Sequence, residues 1–170
     1  VAAFTDSEEQ AVGLADAVPF LLTTRLKKLG AVIEAGPDFE PFAIRDGNLV
    51  MTSGQLPMVA GALPATGKVG EGHGLVPASD AKDYARQSAL NALAAAAAAV
   101  GDLERLTGVV KLTGFVASVP EFTGQPGVIN GASELLGEVF GAAGEHARSA
   151  VGVAALPLGA PVEVEVTVRV

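Results

Sequence analysis

The clearest periodicity in this chain lies at its C-terminal end. From residue 162 to 170, Val162, Val164, Val166, Val168 and Val170 alternate with Glu163, Glu165, Thr167 and Arg169. Strand side chains alternate between faces, so this segment predicts a strand with one apolar and one polar face. Before it, Leu156-Pro157-Leu158-Gly159-Ala160-Pro161 has prolines that cannot donate to a ladder and a glycine suited to a turn, so the chain should reverse there. A small-residue strand opened by Arg148 should precede the reversal, and Arg148 and Glu163 are then expected to approach each other from neighbouring elements.

The rest of the chain switches period several times. Leu21, Leu22, Leu26 and Leu29 repeat near one helical turn and Gly30 follows as a cap, which predicts a short helix. Residues 42 to 55, FAIRDGNLVMTSGQ, read as two strands about a tight Asp46-Gly47-Asn48 turn. The glycine- and proline-rich stretch from Leu56 to Pro77 predicts a long loop. A helix is expected from Ser79 or Asp80 to Val100, with a small polar N-cap, an apolar stripe at Leu90, Leu93, Ala94, Ala97 and Val100, and Gly101 as terminator. Residues 108 to 119 should form a strand, and a second helix should run from about Val128 to Phe140 with Leu135, Leu136, Val139 and Phe140 in the core. This order predicts an α+β fold, a single mixed sheet with both helices on one face. The polar face of the last strand would then meet water or, as the better expectation, another subunit.

Composition narrows the chemistry. The 170 residues are expected to form one domain, 21–170, behind a loosely held acidic extension, 1–20. A net charge of −8 repels phosphate backbones, so nucleic acid is not an expected partner. With no cysteine and only two histidines, neither a thiol nucleophile nor a histidine-based metal site is expected. No apolar run reaches the ~20 residues of a membrane span, so a cytoplasmic protein with no membrane partner is the default. His73, among glycines, reads as solvent-exposed, and His146 as a loop residue close to Arg148.

Several segments together carry a resemblance: GNLVMTSGQLP at 47 to 57, ARQSALNALAAAAAAVGDLERL at 85 to 106, VVKLTGFVAS at 109 to 118, VINGASELLGEVFG at 128 to 141 and HARSAVGVAALPLGAPVEVEV at 146 to 166. Residues 38 to 170 resemble the YjgF/RidA family of reactive-intermediate deaminases, in the branch described as endoribonuclease L-PSP/chorismate mutase-like. The resemblance implies a chorismate-mutase-like fold assembled as a homotrimer, with clefts between subunits and no metal or organic cofactor. It implies hydrolysis of 2-imino or enamine acids to 2-oxo acids and ammonia.

By position in the motifs, Arg148 would clamp a substrate carboxylate through a planar two-point contact, and Glu163 would orient the attacking water. Asn130 and Ser53 match site-lining positions, and backbone around Ala150 would complete the carboxylate pocket. Two residues depart from the family. The position of its pre-strand tyrosine falls on Glu40 or Phe39, and a frequent cysteine two residues after the arginine is Ala150.

The residues also admit plainer roles. Arg148 could pair with a glutamate across a subunit boundary, Asn130 could be an N-cap, and Ser53 could serve a turn. Strand parity does not choose between Glu163 and Glu165. The competing functions are therefore an imine deaminase, a non-catalytic trimer that binds a small carboxylate, and, against the charge, an endoribonuclease.

Overall fold

The alternating C-terminal segment becomes the middle strand of a five-stranded sheet in the computed structural model of the protein, which describes residues 6–11, 16, 21–29 and 42–170. Strands β1 (Ala43–Asp46), β2 (Leu49–Thr52), β3 (Gly108–Ala117), β4 (Ala147–Val153) and β5 (Val162–Arg169) are ordered β1-β2-β5-β3-β4. All neighbours are antiparallel except β3 and β4, which run parallel. In β5, Val162, Val164, Val166 and Val168 are at most 2% exposed. Burying each such side chain stabilises by about 1.5–3 kcal/mol before entropy is counted.

The reversal between β4 and β5 occurs as expected, through a turn at Pro157–Gly159, yet the two strands do not pair. The chain passes the end of β3, where Ala117 N–H donates to Pro161 O at 3.0 Å, and β5 enters on the far side of β3. Arg148 and Glu163 are therefore not on neighbouring strands. A parallel pair needs a long crossover, and the second helix supplies it between β3 and β4.

Helices α3 (Ala78–Val100) and α4 (Gln125–Phe140) pack against the valine face of the sheet. Helix α3 starts at Ala78 with Pro77 before it and no side-chain cap; Ser79 Oγ lies 3.0 Å from Asp80 Oδ1 instead. Its buried stripe is Ala81, Ala85, Ala89, Ala92, Leu93, Ala96 and Val100, whereas Leu90 is 42% exposed and Ala94 is also outside. The expected stripe was rotated because the helix must come close to its neighbours, and alanine, not leucine, permits that. A β-carbon on Gly131 of α4 would stand 2.0 Å from Lys82 O, which shows how close α3 and α4 approach. Lys82–Glu134 at 2.8 Å and Arg86–Glu138 at 2.6 Å align the two helices in parallel. In α4, Leu135 and Leu136 are buried and Phe140 packs on the core, but Val139 is 46% exposed.

The hairpin turn holds Gly47 at φ +58°, with Asn48 outside the positive-φ region, the pattern of a type II′ turn. The 56–77 segment is an irregular loop, as expected, but it is tied down. Asn91 Nδ2 donates to Leu56 O at 2.8 Å and to Met58 O at 3.1 Å, and Val69 exchanges backbone bonds with Ala117 and Val119.

Internal contacts divide the chain into two units, Val1–Phe42 and Ala43–Val170. The first contains α1 (Asp6–Ala11), which the sequence pattern did not reveal, and α2 (Leu22–Lys28), which it did. Helix α2 has no cap of its own. Its first N–H groups instead find the Asp6 carboxylate, which accepts from Thr23 N at 2.9 Å, Thr24 N at 3.1 Å and Thr24 Oγ1. The side-chain bonds with Thr23 and then Thr24 hold this carboxyl below the usual range. Nothing of this kind is visible in sequence periodicity, because the cap arrives from another element.

Candidate functional site

Strand pairing fixes which face each candidate residue takes. Arg148 pairs with Leu112 and Ala150 with Gly114, both directed at the helices. A β-carbon on Gly114 would meet Ile129 Cδ1 at 2.4 Å, so the strand is pressed against α4 here. Arg148 thus stands on the edge strand β4, on the helix side, in a groove between β4 and α4.

Three side chains organise this groove. Arg148 Nη1 donates to Asn130 Oδ1 at 2.7 Å and to Ser133 Oγ at 3.2 Å. Both acceptors are neutral, and among the described residues no carboxylate pairs with Arg148, since the ion pairs present join Lys82 to Glu134 and Arg86 to Glu138. Asn130 is not an N-cap, because α4 already begins at Gln125, with Pro126 in its first turn. Ser133, three residues further along the same helix, shares the face of Asn130. His146 Nε2 lies 3.1 Å from Ser133 Oγ, and His146 Nδ1 lies 2.5 Å from Gly144 O. An open cleft of about 360 Å³ is lined by Ser133, Gly137, Gly141, Gly144, Glu145, His146 and Arg148.

Ser133 escaped the sequence reading, and His146, read as a loop residue close to Arg148, proves to line the cleft. The helical spacing from Asn130 points to Ser133, whereas His146 carries no signal beyond its two-residue distance from Arg148.

Glu163 and Ser53 lie elsewhere. Glu163 pairs with Phe115, and through it with Val151, on the sheet face turned away from the helices. Met51 pairs with Thr167 and Gln55 with Val164, so the β2 side carries one extra residue between these pairs. That bulge is closed by Thr52 Oγ1, which accepts from Val166 N–H at 3.1 Å. The Ser53-Gly54-Gln55 segment follows, with Gln55 Nε2 donating to Ser53 O at 3.2 Å and Ser53 Oγ at 3.3 Å.

Gly54 sits directly under Glu163, where an added β-carbon would fall 1.6 Å from Oε1. Burial, and secondarily the neighbouring Glu165, push the Glu163 carboxyl above the usual glutamate range; burial alone raises Glu165. Glu165 is one row away, level with Thr113 and Ser149. The bulge therefore distinguishes the two glutamates, which parity did not.

Within one chain the candidate residues form two separate groups. Arg148, Asn130 and Ala150 are on the helix side at β4, whereas Glu163 is on the open side above Gly54, the neighbour of Ser53, with β3 between. The expected intrachain approach of Arg148 and Glu163 does not occur. Glu40 lies outside the described residues. Among the described residues no group of three or more His, Cys, Asp or Glu side chains could hold a metal ion, and no helix is long and apolar enough to cross a membrane.

A mixed sheet with two helices on one face, and an arginine in an edge groove held by neutral partners, describes an α+β protein of the chorismate-mutase-like class. Comparison with known proteins agrees with that class. Residues 21–167 match the family model described as "YjgF/chorismate_mutase-like, putative endoribonuclease", and the chain belongs to this family. It is 48% identical over 120 residues to Protein TCP17 of Trypanosoma cruzi, which covers 69% of this chain and 72% of that protein. The crystal structure of Atu1372 from Agrobacterium tumefaciens is 44% identical with a TM-score of 0.72, covering 86% of this chain and 91% of that one. TdcF of E. coli, solved with bound serine, is 25% identical with a TM-score of 0.54, covering 82% and 93% of the two chains.

Proposed function

We propose that this protein is a cofactor-free deaminase that hydrolyses 2-imino or enamine acids to 2-oxo acids and ammonia at clefts between the subunits of a homotrimer. The observation that carries the reading is the Arg148 guanidinium, which Asn130 and Ser133 hold through one nitrogen while no carboxylate among the described residues neutralises it. Such a group is poised for a carboxylate ligand. The serine bound by TdcF is one small molecule with a carboxylate.

Association follows from the two separated groups. The uncovered sheet face carries Leu49, Met51 and Val151, which are 36%, 40% and 44% exposed, among Lys111, Thr113, Glu163 and Glu165. Covering this face with the β4 edge of a neighbouring copy brings a Glu163 to an Arg148, and cyclic closure lets every copy do the same. Light scattering should give three chains per particle at micromolar concentration.

Chemistry is then divided between the halves. Arg148 holds the carboxylate, and Glu163, kept from full solvation, orients the water that attacks the imine carbon. Ammonia release from enzymatically generated iminopyruvate, with and without the protein, tests the reading; equal rates would sink it.

One observation favours a second reading. The stretch Asp38-Phe39-Glu40-Pro41-Phe42 has no tyrosine, which suits a trimer that binds a small carboxylate without turning it over. Pyruvate binding without ammonia release would select that alternative. The net charge of −8 speaks against RNA cleavage, and a salt titration of RNA binding checks it.

A further inference from the structure

The groove beside Arg148 contains a hydrogen-bonded pair, Ser133 and His146, to which the scheme above gives no part in proton transfer. Gly144 O can only accept, so His146 Nδ1 must carry a hydrogen, and Nε2 of the neutral ring is left as an acceptor. Ser133 Oγ, 3.1 Å away, then donates to Nε2 while accepting from Arg148 Nη1 at 3.2 Å. The order of donation runs from Arg148 through Ser133 and His146 to the backbone, and all three side chains line the same open cleft.

We propose that Ser133 and His146 are the proton-exchanging pair of the Arg148 cleft, with Ser133 Oγ–H as the group that meets an anionic, proton-accepting ligand and His146 as its reservoir. The inference rests on the carboxylate-binding reading of Arg148 and adds to it the direction of proton flow.

A proton taken up at Nε2 turns that atom from acceptor to donor. Ser133 Oγ has two lone pairs, so it can accept from both His146 and Arg148, and its own hydrogen is released toward the cleft. In imine hydrolysis, water adds to the imine carbon, and the carbon–nitrogen bond then breaks with the electron pair leaving on nitrogen. The nitrogen gains two protons on its way to ammonia: Ser133 passes on one, which His146 replaces, and the added hydroxyl gives up the other as the carbonyl forms, while the base that activated the water holds the proton that balances the one drawn from His146. No oxidant, reductant or further reactant is involved.

The charges that face His146 are Glu145 from its own turn and Arg148 from β4, while α4 offers Ser133 and Gly137, and the 141–144 turn offers glycines. An anion bound in the cleft lies against the imidazole as well as the guanidinium and favours the charged form of the ring. Anion binding and protonation are therefore coupled, and each strengthens the other. The substrate class that uses this pair has a carboxylate and a nitrogen or oxygen that gains a proton during reaction.

The test is pyruvate binding by calorimetry across about pH 8 to 5, where histidines change charge, in the wild-type protein, His146→Gln and Ser133→Ala. The wild type should gain affinity on the order of tenfold as pH falls and take up a proton on binding, seen by comparing buffers of different ionisation enthalpy. His146→Gln should bind pyruvate with no proton uptake and a flat profile, and Ser133→Ala should lose most of the coupling while remaining folded by circular dichroism. Equal pH dependence in the wild type and His146→Gln overturns the proposal. So does absence of proton uptake in the wild type. If coupling is present but no ammonia is released from iminopyruvate, the deaminase reading fails and the proton-coupled anion site stands. If ammonia is released, His146→Gln should lower kcat with little change in KM and remove the pH dependence that His146 confers; an unchanged kcat–pH profile overturns the catalytic role.

Discussion

The Arg148 groove and the Glu163 face are the same chain's two contributions to the proposed reaction, and they are built in opposite ways. Around Arg148 both acceptors of the guanidinium, Asn130 Oδ1 and Ser133 Oγ, are neutral, so the charge is oriented without being neutralised by them. Around Glu163 the design is steric and dielectric: a bulge clears a place, Gly54 leaves it without a side chain, and burial disfavours the ionised carboxylate. Binding needs a fixed geometry that tolerates water, whereas proton abstraction needs a strained protonation equilibrium. Within one chain, strand β3 keeps the two apart.

The most damaging way to break this division is Glu163→Gln, which should lower turnover by roughly 10²-fold or more while pyruvate affinity changes little. Glu165→Gln, one row away, should retain most turnover; a loss as large as that of Glu163→Gln, with trimers intact, would reverse the assignment. Because the Glu163 carboxyl is held above its ordinary range and acts when ionised, wild-type turnover should fall as pH drops through that raised value. Arg148→Lys comes next. It keeps the charge but not the planar two-point contact, so carboxylate affinity should fall by tens of fold, measured by calorimetry.

Gly54→Ala sharpens the comparison from the steric side. The new β-carbon displaces only the far end of a flexible side chain, so thermal stability should change by less than about 1 kcal/mol while turnover drops several-fold. Unchanged turnover would mean that the seat under Glu163 has no catalytic role. The smallest effect is on stability against pH. The Glu163 and Glu165 carboxyls have raised native values, so their contribution is fully present below the ordinary value near 4.5 and is lost as pH rises through the raised ones. Glu163→Gln should therefore melt slightly higher than wild type at neutral pH, by a fraction of a kcal/mol after solvent screening, and no higher in acid. A gain that persists in acid would assign it to packing.

What could be read from the letters follows the range of the interactions. The valine alternation in β5 and the Asp46–Asn48 turn are local signals, and both elements appear where expected. Arg148 at the start of a strand was legible for the same reason. The insertion of β3 between β4 and β5 was not, since pairing between distant segments leaves no periodicity. Helix α3 misled because an alanine-rich helix has almost no polar contrast, and the tight approach to α4 decides its facing. Asn130 could be taken for a cap only while Pro126 was overlooked as a helix-start signal. Ser133 was within reach by helical spacing, but the bond that gives it meaning comes from His146, beyond the helix end.

The Thr52 hydroxyl that closes the bulge joins residues 114 positions apart in sequence, whereas the Asn130–Arg148 bond spans 18. Closing the longer loop costs more chain entropy, and long-range pairings are slow to form. The Arg148 cradle is thus a short-range product of the β3–α4–β4 crossover, and the seat of Glu163 waits for residues 52–55 to meet residues 164–166. Pulse-labelled hydrogen exchange during refolding should find amides of β4 protected before those of Gln55 and Val164. During synthesis and refolding, this chain would then acquire the proposed capacity to hold a carboxylate before the proposed capacity to act on one.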